Sequence, residues 1–271
     1  MRLAQHGLLF PGGGIFFWWQ AGAIRGLSKR LDLGRTPCAG ASAGALAATL
    51  AACEVDMHQS FDRALHLSIE SGAFDRGPWG LYGVWGGIIR QWLDESLPID
   101  AAERCRGRVS LVLNKPLIPV PLIPPLGEPL TNMRYPCITK LHVSDFRDRS
   151  ELIDAALASV HVPLFLDQQW SASFRGEEYV DGSLVLGRGA KLNLQLPGAY
   201  TGSPSIRLSP LHDPRMRERY GSGWRDFLRL SSKEAVQEMM RWGELYVDER
   251  DDEQLAAGAG GAAAHVADGE G

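Results

Sequence analysis

The chain has 271 residues, of which 45% are hydrophobic and 22% are charged, and its formal net charge is −4 at pH 7. This length and composition are typical of a soluble globular enzyme with a full hydrophobic core. Because no basic excess is present to neutralise phosphate groups, the composition argues against a general nucleic-acid-binding protein, and we expect no nucleic-acid partner.

Cysteine spacing and the N-terminal sequence both favour an intracellular compartment. The four cysteines form no CxxC pair, which argues against a zinc site and favours free thiols in a reducing environment. Residues 1–14 lack the apolar region and cleavage site of a secretory signal, and no run of about 18 apolar residues predicts a membrane span. We therefore expect an intracellular protein, either cytoplasmic or peripheral on a membrane or lipid droplet.

The first fifth of the chain predicts alternating strands and helices. His6 to Phe10 is a short apolar run ended by Pro11 and three glycines, which is typical of a buried strand. Ile15 to Lys29 predicts a helix, and Thr36 to Cys53 predicts a strand, a turn and an alanine-rich helix. This strand, helix, strand, helix order favours a parallel sheet with right-handed connections.

The middle of the chain predicts helices at about Asp56 to Glu70 and Tyr82 to Glu95, and a strand at Arg108 to Asn114. Lys115 to Leu130 contains six prolines, too many for a helix or a central strand. We predict an extended loop there, which either covers the site or forms a packed surface connection.

The last part of the chain predicts short elements and a tail. We expect a strand within Tyr135 to Phe146, a helix at Glu151 to Ser159, a strand leading into Glu177 to Ser183, and interrupted helices over Arg215 to Gln254. Residues 256–271 are rich in alanine and glycine and predict a disordered tail after one domain of residues 1–255.

One short motif points to a nucleophile. Residues Gly40 to Gly44 read GASAG and match GxSxG, in which a serine lies on a strained turn between a strand and a helix. Gly40 and Gly44 allow neighbouring backbone to pass close to this turn, and the helix amino terminus places a positive dipole end beside Ser42. We predict that Ser42 is the nucleophile, and the alternative is a serine that caps the helix.

A glycine run near the start offers hydrogen-bond donors. An oxyanion is stabilised well by backbone N–H groups, because they are already oriented before reaction. Gly12, Gly13 and Gly14 lie between the first predicted strand and the first helix, where they can supply such donors. The alternative is a phosphate-binding loop, but GxGxxG requires glycine where Phe17 stands, and no GK[ST] follows.

A carboxylate must be considered as the general base that acts directly on the serine. The histidines lie in no recognisable motif, and only about 40 residues precede Ser42, which is too little sheet for an α/β-hydrolase. Asp181 lies at a predicted strand end and is followed by glycine, so it is well placed to face a cleft.

The order GGG, GASAG, ALASVHVP and DGS resembles that of the patatin-like phospholipases, over roughly Gly7 to Pro197. Members of that family are serine acyl hydrolases with a Ser-Asp dyad and no histidine. The resemblance implies a three-layer α/β/α fold with a mainly parallel central sheet. It implies that Ser42 and Asp181 form the dyad, that Gly12, Gly13 and Gly14 form the oxyanion loop, and that neither metal nor cofactor is used. The implied substrates are carboxylic esters of glycerolipids, cleaved by a phospholipase A or acylglycerol lipase type of reaction.

The chain departs from the family pattern at two places. Phe16 and Phe17 stand where the family commonly has a basic residue and a glycine, and Ser183 stands where it commonly has glycine. Because the two phenylalanines adjoin the glycine loop, the alternative function is a catalytically impaired, lipid-binding protein of the same fold.

Two aromatic sets each have two interpretations. The first set is Phe16, Phe17, Trp18 and Trp19; the second is Trp79, Tyr82, Trp85 and Trp92 with Ile88 and Ile89. We predict that the first set packs in the core, on a helix buried against the sheet, and the alternative is an acyl-chain pocket or membrane contact. We predict that the second set also packs in the core, and the alternative is a lipid-facing surface.

Overall fold

The computed structural model describes residues 3, 6–117, 138–184, 192–221 and 224–257. The strands in those residues are β1 (Gly7–Phe10), β2 (Cys38–Ala41), β3 (Val109–Pro116), β4 (Ile138–Val143), β5 (Ala172–Phe174), β6 (Glu177–Tyr179) and β7 (Ser205–Arg207). The α-helices are α1 (Phe17–Ser28), α2 (Ala43–Ala52), α3 (Met57–Glu70), α4 (Trp85–Ser96), α5 (Ala101–Cys105), α6 (Arg149–Ser159), α7 (Pro214–Tyr220), α8 (Lys233–Asp248) and α9 (Asp252–Ala257). Short 3-10 helices include Gly14–Phe16, Ala73–Trp79 and Trp224–Leu228.

Five strands form one sheet in the order β4-β3-β2-β1-β7. Strand β1 is parallel to β2 and β7, β2 is parallel to β3, and β4 is antiparallel to β3. This confirms the predicted α/β class with a mainly parallel sheet. The register places Phe10 beside Gly40, so the loops that follow β1 and β2 leave the sheet side by side.

The main hydrophobic core lies between one face of the sheet and the helices. Leu8, Phe10 and Leu111 of the sheet share this core with residues of α1, α2, α6 and α8. The opposite face contributes to a smaller cluster that includes Val112 and Leu194. Because α2 contacts β1, β2 and β3, the helix that starts after Ser42 is held over the centre of the sheet.

The predicted elements in the described residues are present, with boundaries shifted by a few residues. The structure adds α5, β5 and β7, which have 5, 3 and 3 residues and are too short to show a hydrophobic period. Strand β3 continues through Lys115 and Pro116, whereas residues 118–130 of the predicted proline-rich loop lie outside the described residues. Helix α9 ends at Ala257, and the rest of the predicted tail also lies outside them.

Three of the four cysteines are free thiols in the structure, as the sequence predicts. Cys38, Cys53 and Cys105 are buried and unpaired, and Cys137 lies outside the described residues. The Cys53 and Cys105 sulfur atoms are 3.8 Å apart, well beyond a disulfide bond length. Burial raises the pKa of the Cys38 thiol to about 12, so this thiol stays protonated at neutral pH.

Helix α1 is part of the core. Phe16, Phe17, Trp18 and Trp19 are all buried, which confirms the predicted core packing of the first aromatic set. Trp19 Nε1 donates a hydrogen bond of 2.8 Å to Asp213, so the polar edge of the most buried ring is also satisfied.

The second aromatic set is divided between core and surface. Ile88, Ile89 and Trp92 of α4 are buried, as predicted. The prediction of core packing is wrong for Trp79 and Tyr82, which are 47% and 49% exposed. Both precede the regular helix, so the helical periodicity used to place them does not apply there. Across the described residues, every helix is too short or too polar to span a bilayer.

Helices α1 and α8 approach so closely that glycine is needed at their contact. A Cβ atom at Gly22 of α1 would overlap the carbonyl oxygen of Met240, and a Cβ atom at Gly243 of α8 would overlap the carbonyl oxygen of Trp19. Backbone atoms cannot move aside as the end of a side chain can. The position of α1, and of the loop before it, therefore depends on this contact.

We predict that Gly22→Ala lowers the free energy of unfolding by about 3 kcal/mol, because α1 and α8 must separate to accept the methyl group. The matched control is Gly87→Ala in α4, where a Cβ atom meets nothing within 4 Å. That variant should be unchanged or more stable by up to about 1 kcal/mol, since alanine favours a helix over glycine. Urea unfolding measures both. Equal stability of the two variants would contradict the close α1–α8 contact.

Candidate active site

Ser42 lies on the turn between β2 and α2 and has an unusual backbone conformation. Its φ is 54° and its ψ is −134°, a combination that non-glycine residues rarely adopt. Its N–H donates to Ser159 Oγ (3.1 Å), and Ser159 Oγ donates to the carbonyl oxygen of Val112 (2.7 Å). One hydroxyl of α6 thus ties the Ser42 turn to β3.

The two glycines of the GASAG motif lie at close backbone approaches. A Cβ atom at Gly40 would overlap the carbonyl oxygen of Gly44. A Cβ atom at Gly44 would overlap the carbonyl oxygen of Phe10 at the end of β1. The Ser42 turn is therefore seated directly against the start of the glycine loop.

Asp181 reaches the same region from a distant part of the sequence. The preceding residue, Val180, forms a two-way backbone bridge with Asn114 of β3. The N–H of Asp181 donates to the carbonyl oxygen of His161 (2.8 Å), and the N–H of Gly182 donates to that of Ser159 (2.8 Å). The backbone on both sides of the Asp181 side chain is consequently fixed.

The two oxygens of the Asp181 carboxylate have different surroundings. Oδ1 accepts hydrogen bonds from Ser183 N–H (2.8 Å) and Ser183 Oγ (2.6 Å). Oδ2 is buried and has no hydrogen-bond partner among the described residues. The Ser42 hydroxyl is near enough to lower the carboxyl pKa, although the contact falls short of hydrogen-bond geometry. Burial is the largest effect and raises the pKa of Asp181 above its ordinary value.

The glycine loop lies next to both side chains. A Cβ atom at Gly12 would stand 3.0 Å from Ser42 Cβ and 2.7 Å from Ser183 Cβ. No described residue accepts a hydrogen bond from the N–H of Gly12 or Gly13. Gly14 has a φ of +52°, which suits glycine. Free N–H groups beside a hydroxyl and a buried carboxylate can stabilise an oxyanion that forms on an atom bound to that hydroxyl.

The loop is held in place from helix α1. Gln20 Nε2 donates to the carbonyl oxygens of Pro11 (2.8 Å) and Leu208 (3.2 Å). Gln20 is fully buried, so these bonds are shielded from water. The first turns of α1 thereby fix the carbonyl groups around the loop and leave its N–H groups unpaired.

A cavity of about 330 Å³ opens onto these groups. Its polar end contains Ser42, Asp181 and the glycine loop, and the rest of its wall is largely apolar. Phe17 and Trp18 line it, so these two members of the first aromatic set belong both to the core and to the cavity wall. The wall also includes Leu46, Phe61, Leu65, Phe74, Leu81, Trp85, Ile88, Ile89, Trp92, Val162, Leu166 and Val236.

The model of the family described as patatin-like phospholipase matches residues 8–192. The chain belongs to the patatin-like phospholipase family. Its mixed α/β architecture with a five-stranded, mostly parallel sheet is the fold expected for a patatin-like protein. The match includes Gly12 to Gly14, Ser42 and Asp181, so every predicted site residue lies within the family region.

Three curated relatives of this patatin-like chain show modest identity. A mouse protein named omega-hydroxyceramide transacylase is 29% identical over 184 residues, covering 66% of this chain and 27% of that protein. The human protein of that name is also 29% identical over 184 residues, covering 31% of its length. A mouse protein named 1-acylglycerol-3-phosphate O-acyltransferase Pnpla3 is 29% identical over 181 residues, covering 65% of this chain and 39% of that protein. The chain thus spans well under half the length of these relatives.

The patatin-like site contains supporting residues that the sequence did not indicate. Asn114 Nδ2 donates to the carbonyl oxygens of Asp181 (2.6 Å) and Leu184 (3.0 Å). Lys140 Nζ donates to Asn114 Oδ1 (3.1 Å) and to the Leu184 carbonyl oxygen (3.3 Å). Burial lowers the pKa of Lys140, and the charge of Asp181 opposes this change. Only the pairing of β3 with β4 places Lys140 beside Asn114, and no sequence signal predicts that register.

One histidine, His161, interacts with Asp181. His161 is buried, and its Nε2 lies 3.3 Å from the carbonyl oxygen of Gln169. It affects Asp181 electrostatically and through its backbone carbonyl. In the part of the patatin-like chain that the structure describes, no group of three or more His, Cys, Asp or Glu side chains is arranged to hold a metal ion.

We predict that Gly12→Ala lowers the rate at which a fluorophosphonate probe labels Ser42 by about 100-fold, the scale of losing one oxyanion donor. The added methyl group would stand 2.7 Å from Ser183 Cβ and 3.0 Å from Ser42 Cβ, so loop and hydroxyl must separate. The matched control is Gly13→Ala. There φ is −171° and the nearest atom, Phe16 Cβ, is 3.6 Å away.

Gly13→Ala keeps its N–H group and should label within a few-fold of wild type. Thermal unfolding of both variants shows whether the fold is retained. Similar labelling rates for the two alanine variants would argue against the proximity of Gly12 to the Ser42 hydroxyl.

Proposed function

We propose that this chain is a serine acyl hydrolase that cleaves carboxylic esters of glycerolipids, of the phospholipase A or acylglycerol lipase type. The observation that carries the proposal is a cavity whose polar end holds Ser42, Asp181 and the N–H groups of Gly12 and Gly13, which have no acceptor among the described residues. The remaining, largely apolar wall suits an acyl chain. This arrangement supports the proposal because it offers one candidate each for the nucleophile, the base, the oxyanion donors and the space for an acyl chain.

The proposed reaction uses Ser42 and Asp181 as a dyad. Ser42 Oγ attacks the ester carbonyl carbon and transfers its proton to the free Oδ2 of Asp181. The N–H groups of Gly12 and Gly13 donate to the oxyanion, with Gly14 completing the loop. When the intermediate collapses, the C–O bond of the ester breaks and Asp181 returns the proton to the leaving alcohol. Water then repeats the cycle on the acyl-enzyme and releases the fatty acid.

Burial of Asp181 has a catalytic consequence. Because burial raises the carboxyl pKa, the carboxylate is a stronger base than an exposed aspartate. It must still be ionised to accept the proton. Activity should therefore be present above the Asp181 pKa and be lost as the pH falls through it.

The position of the two phenylalanines favours an active enzyme over the impaired, lipid-binding alternative. Phe16 packs against Tyr220 and Phe227, with ring centroids 4.9 Å apart in both pairs. Phe17 forms part of the cavity wall. Neither ring is among the atoms nearest to Gly12, which are those of Ser183 and Ser42. Neither phenylalanine can therefore stand between Gly12 and Ser42, because an added Cβ atom at Gly12 would lie 3.0 Å from Ser42 Cβ.

The names of the relatives favour a second candidate, acyl transfer. Two of them are named transacylases and one an acyltransferase. Transfer uses the same acyl-enzyme, with an alcohol in place of water as the acceptor. The same dyad serves both reactions, so the acceptor must be identified by experiment.

We predict that Ser42→Ala and Asp181→Asn each lower turnover of a nitrophenyl ester by about 1,000-fold or more, because the nucleophile or its base is lost. The matched control is Ser68→Ala. Ser68 lies in the same cavity, but its hydroxyl donates to the carbonyl oxygen of Ala64 in its own helix (2.8 Å), so turnover should be retained.

Adding a monoacylglycerol to the wild-type reaction separates the candidates. Free fatty acid as the main product supports hydrolysis, and diacylglycerol supports transfer. Absence of both turnover and fluorophosphonate labelling in the folded wild type would favour the lipid-binding alternative.

The exposed aromatic residues before α4 are proposed to contact a lipid surface. Trp79 and Tyr82 each pack edge-on against Phe165, with centroid distances of 6.5 and 6.0 Å, and leave about half of their surface in solvent. Phe74 in the same segment is 37% exposed and also lines the cavity. This patch thus continues into the proposed chain-binding space, and Trp and Tyr favour membrane interfaces.

We predict that Trp79→Ser with Tyr82→Ser weakens co-sedimentation with phosphatidylcholine vesicles several-fold, because two interfacial rings are lost. Turnover of a water-soluble ester should change little. The control is Ile99→Ser, which removes a side chain that is 91% exposed beyond the other end of α4. Equal co-sedimentation of the double variant, the control and wild type would reject this surface.

A further inference from the structure

The Asp181 carboxylate has one anchored oxygen and one free oxygen. Ser183 supplies both bonds to Oδ1, from its backbone N–H (2.8 Å) and from its hydroxyl (2.6 Å). Oδ2 is buried and has no hydrogen-bond partner among the described residues, and the Ser42 side chain acts on the same carboxyl group. A carboxylate free to rotate would present either oxygen to the serine. Two bonds to a single oxygen select one orientation.

Ser183 is itself held in place on both sides. Its neighbour Leu184 donates N–H to the carbonyl oxygen of Asp181 (3.2 Å), which closes a turn around Ser183. The Leu184 carbonyl oxygen accepts from Asn114 and Lys140. On its other side, the Ser183 side chain faces Gly12, where an added Cβ atom would stand 2.8 Å from Ser183 Oγ. The hydroxyl therefore lies between the acid and the glycine loop.

We propose that Ser183 is a positioning residue that anchors Oδ1 of Asp181 through its hydroxyl, so that Oδ2 remains available for the proton of Ser42. This inference rests on the proposed function of the Ser42–Asp181 pair. A glycine at this position would supply only the backbone N–H, so the serine hydroxyl gives Oδ1 a second hydrogen-bond donor.

The hydroxyl also stabilises the charged form of the acid. Burial disfavours the ionised carboxylate, and the Ser183 side chain makes the largest contribution in the opposite direction. Lys140 of β4 and His161 after α6 also act on this carboxyl, and Ser42 faces it from the start of α2. All three groups remain in Ser183 variants, so a difference in the Asp181 pKa between wild type and these variants is due to the Ser183 hydroxyl.

The first test is the pH profile of kcat/KM for a nitrophenyl ester in wild type, Ser183→Ala and Ser183→Gly. Both variants keep the backbone N–H and lose the hydroxyl. Loss of a hydrogen bond to an ionised group raises the Asp181 pKa, so the acid limb moves to higher pH. On that limb kcat/KM should fall by about tenfold, and the loss should shrink toward the plateau at higher pH.

Ser28→Ala is the matched control, since it removes an exposed hydroxyl that donates to the carbonyl oxygen of Arg25 (2.8 Å) outside the cavity, and its profile should follow wild type. A loss of equal size at all pH values would indicate a general structural role and overturn the inference. So would a wild-type profile in both Ser183 variants.

A second readout does not require turnover. In protein labelled with ¹³C at aspartate carboxyl groups, the Asp181 signal is assigned by its absence in Asp181→Asn. Its titration should move to higher pH in Ser183→Ala, and an unchanged titration overturns the inference even if the enzyme proves inactive. Failure of the proposed function appears separately, as wild-type protein that neither hydrolyses the ester nor reacts with the fluorophosphonate.

Discussion

The parallel pairing of β1 with β2 is the constraint on which the site depends. Because Phe10 lies beside Gly40, both chains leave the sheet at the same end, and the glycine loop after β1 must meet the Ser42 turn after β2. The contact is backbone against backbone, with Gly44 beneath the Phe10 carbonyl oxygen. No side chain separates the loop from the serine, so their relative position is set by main-chain geometry.

Asp181 is held next to the glycine loop and the Ser42 turn by strand β3. Asn114 binds the backbone at Val180 and Asp181, and Ser159 connects Val112 of the same strand to the Ser42 turn. One strand therefore positions both the proposed nucleophile and its proposed base. Such indirect support explains how two residues 139 positions apart in the printed sequence, Ser42 and Asp181, reach one buried site.

Sequence reasoning predicted the α/β class and the residues that meet at the cavity, because GGG, GASAG and DGS are local patterns with local structural causes. The structure brings those residues together, while their catalytic roles remain predictions. Lys140 was not predictable, since its place beside Asn114 depends on strand register across a long connection. Trp79 and Tyr82 were misplaced because the chain before α4 forms a 3-10 helix and turns, where α-helical periodicity has no meaning.

Helix α1 holds the glycine loop through Gln20 and lines the cavity through Phe17 and Trp18. Contact with the proposed acyl chain and support of the proposed oxyanion donors thus depend on one helix, which glycine contacts hold against α8. Changes of cavity shape at α1 will disturb reactivity as well. Changes on α3 and α4, which carry Leu65 and Ile89, can alter the cavity without moving the loop. Divergence of substrate preference should therefore accumulate on the α3–α4 wall while α1 changes slowly.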